Sequence, residues 1–229
     1  MLKIYGVAPS IHTRKVIITA LEKRLKYELE PVFPFDPPPG WEMLSPTGKI
    51  PAVADDGYAL ADSSVIVAYL EKKYPEHALY PTQPTEYAQA LWIEEFCDGQ
   101  VAPKVITLFQ QKILGPQVRK EKPDAVVIAD VLENKLPPAF DYLEGLLQGQ
   151  YFIGHSLTIA DVTIASNLLV YHYVGGELAA TRYPKLKAHF ERMLRRPSFQ
   201  TALKAEEAGI QRFGLEHGFL KGIYQRAAA

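Results

Sequence analysis

The chain has 229 residues, enough for one large domain or two smaller ones with cores of their own. Its 25 Lys and Arg against 26 Asp and Glu leave a formal charge of −1, so no global positive field is available to hold a polyanion, and nucleic acid is not expected as a partner. The single cysteine, Cys97, excludes an internal disulfide, a CxxC redox pair and a cysteine-rich zinc site, and fits a reducing compartment.

Residues 2–6 are short, partly alternating and end at Gly6, which predicts a strand. The N-terminus lacks the apolar stretch of a signal peptide, and no run reaches the roughly 18 apolar residues of a membrane span. A cytoplasmic protein without a membrane partner is therefore expected. After Pro9 and Ser10, the spacing of Val16, Ile17, Ala20 and Leu21 predicts a helix over residues 11–24. Tyr27, Leu29, Val32 and Phe33 mark a second strand over 27–33, with Pro31 implying a sheet edge or a bulge. Strand, helix and strand at this spacing favour a parallel pair with a right-handed crossover. Prolines at 34, 37, 38, 39 and 46 argue against regular structure from 34 to 48. Residues 52–54 and 58–60 flank Asp55-Asp56-Gly57, which tolerates the positive φ of a tight hairpin and makes the two segments antiparallel neighbours. Asp62-Ser63-Ser64 supplies cap-type side chains for a helix ending near Tyr74. Prolines 75, 81 and 84 mark a linker, dividing the chain into a first domain over 1–80 and a second over 85–229. The second reads as all-helical, with helices over 85–112, 123–148, 158–172 and 184–195. Pro103 and the Pro137-Pro138 pair should kink or interrupt the first two.

Four local features bear on chemistry. Ser10 stands where the first strand gives way to the first helix. There it either caps the helix or donates a hydrogen bond to an anion, such as a thiolate, drawn to the helix N-terminus. Gly48-Lys49-Ile50-Pro51-Ala52 enters the third strand. A trans Pro51 would simply start that strand, whereas a cis bond would turn the Ile50 backbone outward to pair with an extended peptide. Asp62-Ser63 either caps its helix or receives the carboxylate and ammonium of an amino-acid end. Thr158 and Asp161 form a capping box, with Leu157 and Val162 in the staple positions, a structural feature that predicts a buried helix start.

In this order the features resemble those of the glutathione transferase superfamily, over nearly everything from Leu2 to about Arg196. The resemblance implies an α/β thioredoxin-like N-terminal domain followed by an all-α C-terminal domain, glutathione as co-substrate with no metal, a homodimer, and conjugation of the glutathione thiolate to small hydrophobic electrophiles. Pro9-Ser10-Ile11-His12-Thr13-Arg14-Lys15-Val16 looks most like the serine-type, phi-like members, which makes Ser10 the implied catalytic residue. Tyr5 is a rival for the sulfur contact, since tyrosine-type members use a residue near the end of strand one, and His12 lies adjacent with an ordinary pKa near neutrality. By the same resemblance, cis Pro51 and the Ile50 backbone would hold the cysteinyl part of glutathione. Asp62 and Ser63 would hold its γ-glutamyl end, and Lys49 a peptide carboxylate. Pro37-Pro38-Pro39-Gly40-Trp41 stands where phi-like members usually place a His and Lys, so the glycyl contacts are not carried over. The electrophile is expected between the domains, against Ile11, His12, Phe35, Phe109 and Ile113. Cys97 falls in a second-domain helix as a small apolar residue, away from the position of cysteine-type members. Two other readings fit the same residues: a glutathione-dependent peroxidase, disulfide reductase or isomerase, and a non-catalytic binding or structural protein.

Overall fold

Four short strands, β1 (Leu2–Tyr5), β2 (Tyr27–Glu30), β3 (Ala52–Asp55) and β4 (Tyr58–Ala61), form one mixed sheet in the order β2-β1-β3-β4, in a computed structural model that describes residues 1–224. β1 and β2 run parallel and β3 and β4 antiparallel, as the sequence predicts, and β3 is also antiparallel to β1. Asp56 and Gly57 both take positive φ, 50° and 84°, a pairing whose twist matches that of the flanking strands. β2 stops at Glu30, short of the expected Phe33, because Pro31 has no N–H for the ladder. It is an edge strand, one of the two placements Pro31 implied.

The proline-rich stretch expected to be irregular contains a short helix, α2 (Trp41–Leu44), after Gly40 turns the chain at φ 80°. Trp41 is 5% exposed and packs with Val32, Ala52 and Tyr5. Burial of an indole stabilises by several kcal/mol at about 25 cal/mol per Å², enough to order a segment that local propensity leaves open.

α1 (Ile11–Glu22) joins β1 to β2, and α3 (Ser63–Lys73) packs beside it. Both faces of α1 are covered, since Val16, Ile17, Ile18 and Ala20 are all fully buried. One face meets the sheet layer, and the other meets the helical half of the molecule. That half includes α4 (Pro84–Phe96), α5 (Ala102–Phe109), which runs on as a π-helical segment over Gln110–Arg119, α6 (Ala125–Asp130), α7 (Pro137–Leu146), α8 (Ile159–Tyr173), α9 (Pro184–Leu194), α10 (Pro197–Phe213) and the short α11 (Lys221–Tyr224). The first helix expected here is not continuous. It widens into a π turn over Cys97–Val101 just before Pro103, and the second widens over Val131–Lys135 before Pro137. A proline leaves the carbonyl four residues earlier without its donor, and a wider turn relieves the mismatch. α10 lies beyond the last predicted helix. No described helix is long and apolar enough to cross a membrane.

α8 is buried along its whole length. Asp161 closes the expected capping box with Thr158 and also accepts from Phe152 N at 3.0 Å and faces His189 Nε2 at 2.8 Å. At the other end of α8, His172 stacks on Phe190 at 4.9 Å and lies 5.0 Å from Phe219. Burial, assisted by Lys187, pulls its pKa down to about 4. The unfolded chain protonates this imidazole near pH 6.5, whereas the folded chain does so only near 4. Stability should therefore fall as pH drops through that window, by roughly 3 kcal/mol in all, and this contribution should level off below it. Urea denaturation across the window should show a shallower decline for His172→Phe than for the wild type, and parallel curves would contradict this account.

Candidate active site

The sheet register gathers the sequence motifs. Tyr5 pairs with Ala52, and Ala52 with Ala61, so the next residue outward on each strand, Gly6, Pro51 and Asp62, lies at the same end of the sheet. Gly6 continues the pairing by donating to Glu30 O at 3.0 Å and accepting from Val32 N at 3.2 Å. A Cβ here would stand 2.5 Å from Thr13 Oγ1, so the turn into α1 is close enough to require glycine.

Ser10 ends that turn as the N-cap of α1, at φ −72° and ψ 136°, with its carbonyl accepting from Arg14 N at 2.9 Å. Its Oγ accepts from Thr13 N over a long 3.4 Å. Capping consumes a lone pair and leaves the hydroxyl proton for a second partner. The two readings of Ser10, cap and anion donor, are therefore compatible at one atom. The positive end of the helix dipole favours an anion at the same place.

Arg14 fixes this corner from the helical side. With no exposed surface, it donates to Glu206 Oε1 at 2.5 Å and Oε2 at 2.8 Å, to Ser166 O at 2.9 Å and to Pro9 O at 3.2 Å. Tyr173 donates to the same Glu206 carboxylate at 2.7 Å and sets its ring 5.7 Å from the guanidinium. Burial opposes the charge on Arg14, but the Glu206 carboxylate outweighs it and raises its pKa. On α10, a Cβ at Gly209 would meet Pro9 Cγ at 2.5 Å, so helix backbone and loop are in direct contact.

On the neighbouring side, Asp62 caps α3 at φ 78°, its Oδ1 accepting from Ser64 N at 3.0 Å and Val65 N at 3.3 Å. Ser63 is buried, with its Oγ 3.4 Å from His12 Nδ1, which in turn lies 3.7 Å from Asp98 Oδ1. Beneath them Lys15 Nζ donates to Ser64 Oγ, Glu94 Oε1 and Asp98 Oδ2 at 2.9, 2.9 and 2.7 Å. Burial lowers the His12 pKa, with Asp98 only partly offsetting it, so the ring is neutral at neutral pH. Burial also opposes the Lys15 charge, but Glu94 and Asp98 outweigh it and hold the ammonium above its ordinary value.

The Ile50–Pro51 bond is cis, as the resemblance implies. Ser45 Oγ donates to Lys49 O at 2.7 Å, Pro51 is buried, and the Lys49 side chain is exposed. Tyr5 packs on Trp41, with ring centroids 6.2 Å apart. Cys97 is fully buried, and burial pushes its thiol pKa up.

The five residues expected around an electrophile differ in burial and surroundings. Ile11 belongs to the core, and Phe109 packs partly buried against it. Phe35 is 39% exposed and lies against Phe33 and Phe213. Ile113 lines a cleft of about 630 Å³ with Lys112, Tyr173, Ile210 and Gly214, a lining that includes none of Ser10, Ile11, His12, Phe35 and Phe109. The sequence reading missed Arg14, Lys15, Glu94, Asp98 and Glu206. For the last there was a signal, since Glu206 interrupts the helically spaced apolar stripe of Phe199, Leu203, Ile210 and Phe213, and a charge on such a stripe needs a buried partner.

Family models described as "Glutathione S-transferase, N-terminal domain" and "Glutathione S-transferase, C-terminal domain" match residues 4–78 and 109–206. A glutathione S-transferase of Triticum aestivum is 28% identical over 205 residues, covering 87% of this chain and 92% of the relative. A glutathione S-transferase structure from Rhodospirillum rubrum F11 superposes with a TM-score of 0.81 at 27% identity, covering 89% of this chain and 92% of that one. A glutathione S-transferase from Methylobacterium radiotolerans, solved with glutathione sulfonate, gives 0.75 at 25% identity, covering 88% and 93%.

Removing one partner of a buried ion pair strands the other, at a cost of about 3–5 kcal/mol, whereas replacing both with apolar groups is often neutral. Glu206→Ala should lower the urea midpoint accordingly, and the double variant Arg14→Met/Glu206→Leu should recover most of the loss. A Glu206→Ala protein as stable as wild type would remove the pair from its clamping role.

Proposed function

The chain belongs to the glutathione S-transferase family, and from that premise we propose that it is a serine-type glutathione transferase that conjugates the glutathione thiolate to small hydrophobic electrophiles. The observation that carries the reading is the corner itself. A hydroxyl with its proton uncommitted stands at the N-terminus of α1, beside a cis proline and the Asp62-Ser63 cap at the same end of the sheet. In this reading Ser10 donates to the glutathione sulfur, and Ile50 and Pro51 present backbone to the cysteinyl unit. Asp62 and Ser63 receive the γ-glutamyl ammonium and carboxylate, and Lys49 meets a peptide carboxylate. Residues 1–80 form the glutathione-binding domain, and 85–229 contribute the electrophile side.

The thiol loses its proton to solvent. The sulfur anion forms a bond to the electrophilic carbon, and the leaving group departs with its electron pair. An unperturbed thiol, pKa about 8.5, is only a few per cent ionised at pH 7, so full ionisation gains about tenfold to thirtyfold. Larger accelerations come from holding both reactants in contact. A disulfide-reductase route through a protein thiol is disfavoured, because the one cysteine is fully buried.

The homodimer is proposed on an exposed apolar surface. Trp92 is 57% exposed and donates to Tyr142 Oη at 2.7 Å, while Phe96 packs 4.6 Å from the Tyr142 ring. Aromatic surface of this kind is enriched at protein interfaces.

Ser10→Ala should raise the pKa of the bound thiol by about one to two units, the worth of one hydrogen bond to a charge, and lower kcat/KM at neutral pH about tenfold to thirtyfold as the thiolate fraction falls. The lost cap should cost only about 1 kcal/mol of stability. Titration of thiolate absorbance in the binary complex reads the pKa, and an unchanged value would move the role to Tyr5 or His12. Trp92→Glu should sediment as a monomer where the wild type sediments as a dimer.

A further inference from the structure

The loop that carries Ser10 has a second neighbour that the conjugation reading leaves unused. Val32 N donates to Gly6 O at 3.2 Å, which places Phe33 one residue beyond the turn. Gly209 of α10 touches Pro9, which places Arg212 and Phe213 about one helical turn further along. These two segments, remote in sequence, meet. Phe33, Phe35 and Phe213 stand 5.4, 6.2 and 6.5 Å apart by ring centroid. The Arg212 guanidinium lies 4.6 Å from the Phe33 ring and 5.5 Å from the Phe213 ring. Its side chain forms no ion pair or hydrogen bond among the described residues.

A guanidinium stacked on aromatic faces spends its π surface on them and keeps its in-plane N–H groups for a partner, in a fork that matches a carboxylate. Solvent is one such partner. Two features of the place favour another. The exposed Phe35 ring beside it offers a flat apolar face, and the adjacent Ser10 corner holds an anionic sulfur in the conjugation reading. That anion repels a negatively charged second reactant unless a cation lies nearby. We propose that Arg212 is the specificity-determining residue of the electrophile side, and that it selects aromatic electrophiles bearing a carboxylate, with the ring against the exposed Phe35 and the carboxylate on the guanidinium. This rests on the conjugation reading for turnover but not for binding.

In the reaction the sulfur–carbon bond forms on the ring, chloride leaves with its electron pair, and the carboxylate is unchanged. The test pairs 4-chloro-3,5-dinitrobenzoate with neutral 1-chloro-2,4-dinitrobenzene as substrates, and unreactive 3,5-dinitrobenzoate with 1,3-dinitrobenzene as binding probes, in the wild-type protein and in Arg212→Gln and Arg212→Lys. Arg212→Gln should reduce kcat/KM for the benzoate about tenfold, the worth of one charge-assisted contact, and leave the neutral substrate within twofold. The neutral substrate thus also reports whether the variant is folded. Arg212→Lys should fall between. Raising salt should erode the preference for the benzoate in wild type but not in Arg212→Gln.

A benzoate-to-neutral ratio unchanged in Arg212→Gln would overturn the proposal, as would equal binding of the two unreactive probes by the wild type. Absence of turnover for both substrates, with the benzoate probe still bound more tightly in an Arg212-dependent way, would instead sink the conjugation reading and leave this one standing.

Discussion

The geometry of the site depends on one buried contact, the fork between Arg14 and Glu206. Its energetic worth is not the reason it matters, since a buried ion pair gains little over well-packed apolar residues. Its directionality is. A guanidinium holds its donors in a fixed plane, and here they are distributed among a carboxylate on α10, a carbonyl on α8 and the carbonyl of Pro9. Three elements far apart in the chain thereby fix the position of the residue immediately before Ser10. An apolar replacement would fill the volume without specifying the loop.

α1 makes this possible because it belongs to two layers. A helix on the surface of a sheet ordinarily has one apolar stripe and one polar face. α1 is covered by the sheet side and by α8 and α10 together, and its charged residues Arg14 and Lys15 are buried toward partners in the helical half. Lys15 performs on one side, with Glu94 and Asp98, what Arg14 performs on the other. The N-terminus of α1 is thus held between two buried cation–carboxylate clusters. The helix end that favours an anion is thereby anchored on both sides, and electrostatic stabilisation of a charged reactant is most effective when its dipoles are already oriented.

Much of the sheet half, and the start of α8 in the helical half, was legible in the sequence because the determinants are local. Gly6, the Asp56-Gly57 turn, the Asp62 cap and the Thr158–Asp161 box each act over a few residues, and each takes the predicted place. The errors arose where distant burial overrode local propensity. Trp41 finds a cavity beside Ala52 and Val32 and orders a helix in proline-rich chain. Pro103 and Pro137 were recognised as interruptions, but a π turn is a compromise between a missing donor and packing on both sides, and spacing alone does not reveal it. The expected electrophile residues were chosen for their apolar character, and apolar character does not distinguish Ile11 in the core from Phe35 at the surface. Site residues at a register position could be read. Of those brought together by α10, only Glu206 left a signal, a charge on an apolar stripe that calls for a buried partner without naming Arg14.

That limit follows the division of labour in the proposed chemistry. Ionising a thiol gains at most about thirtyfold at neutral pH, and the apparatus for it is compact: one hydroxyl, one helix terminus and the turn that presents them. Everything beyond that factor comes from how the second reactant is held against the sulfur, and the groups available to hold it are contributed by segments as remote as Phe33 and Arg212. A contact between residues so far apart in the chain leaves no periodicity and no local motif, because neither segment needs the other to form its own secondary structure. If Arg212 selects the electrophile as proposed, that choice resides in the juxtaposition of α10 with the loop after β2, and substitutions at that edge would change it without disturbing the Arg14 fork or the corner it positions.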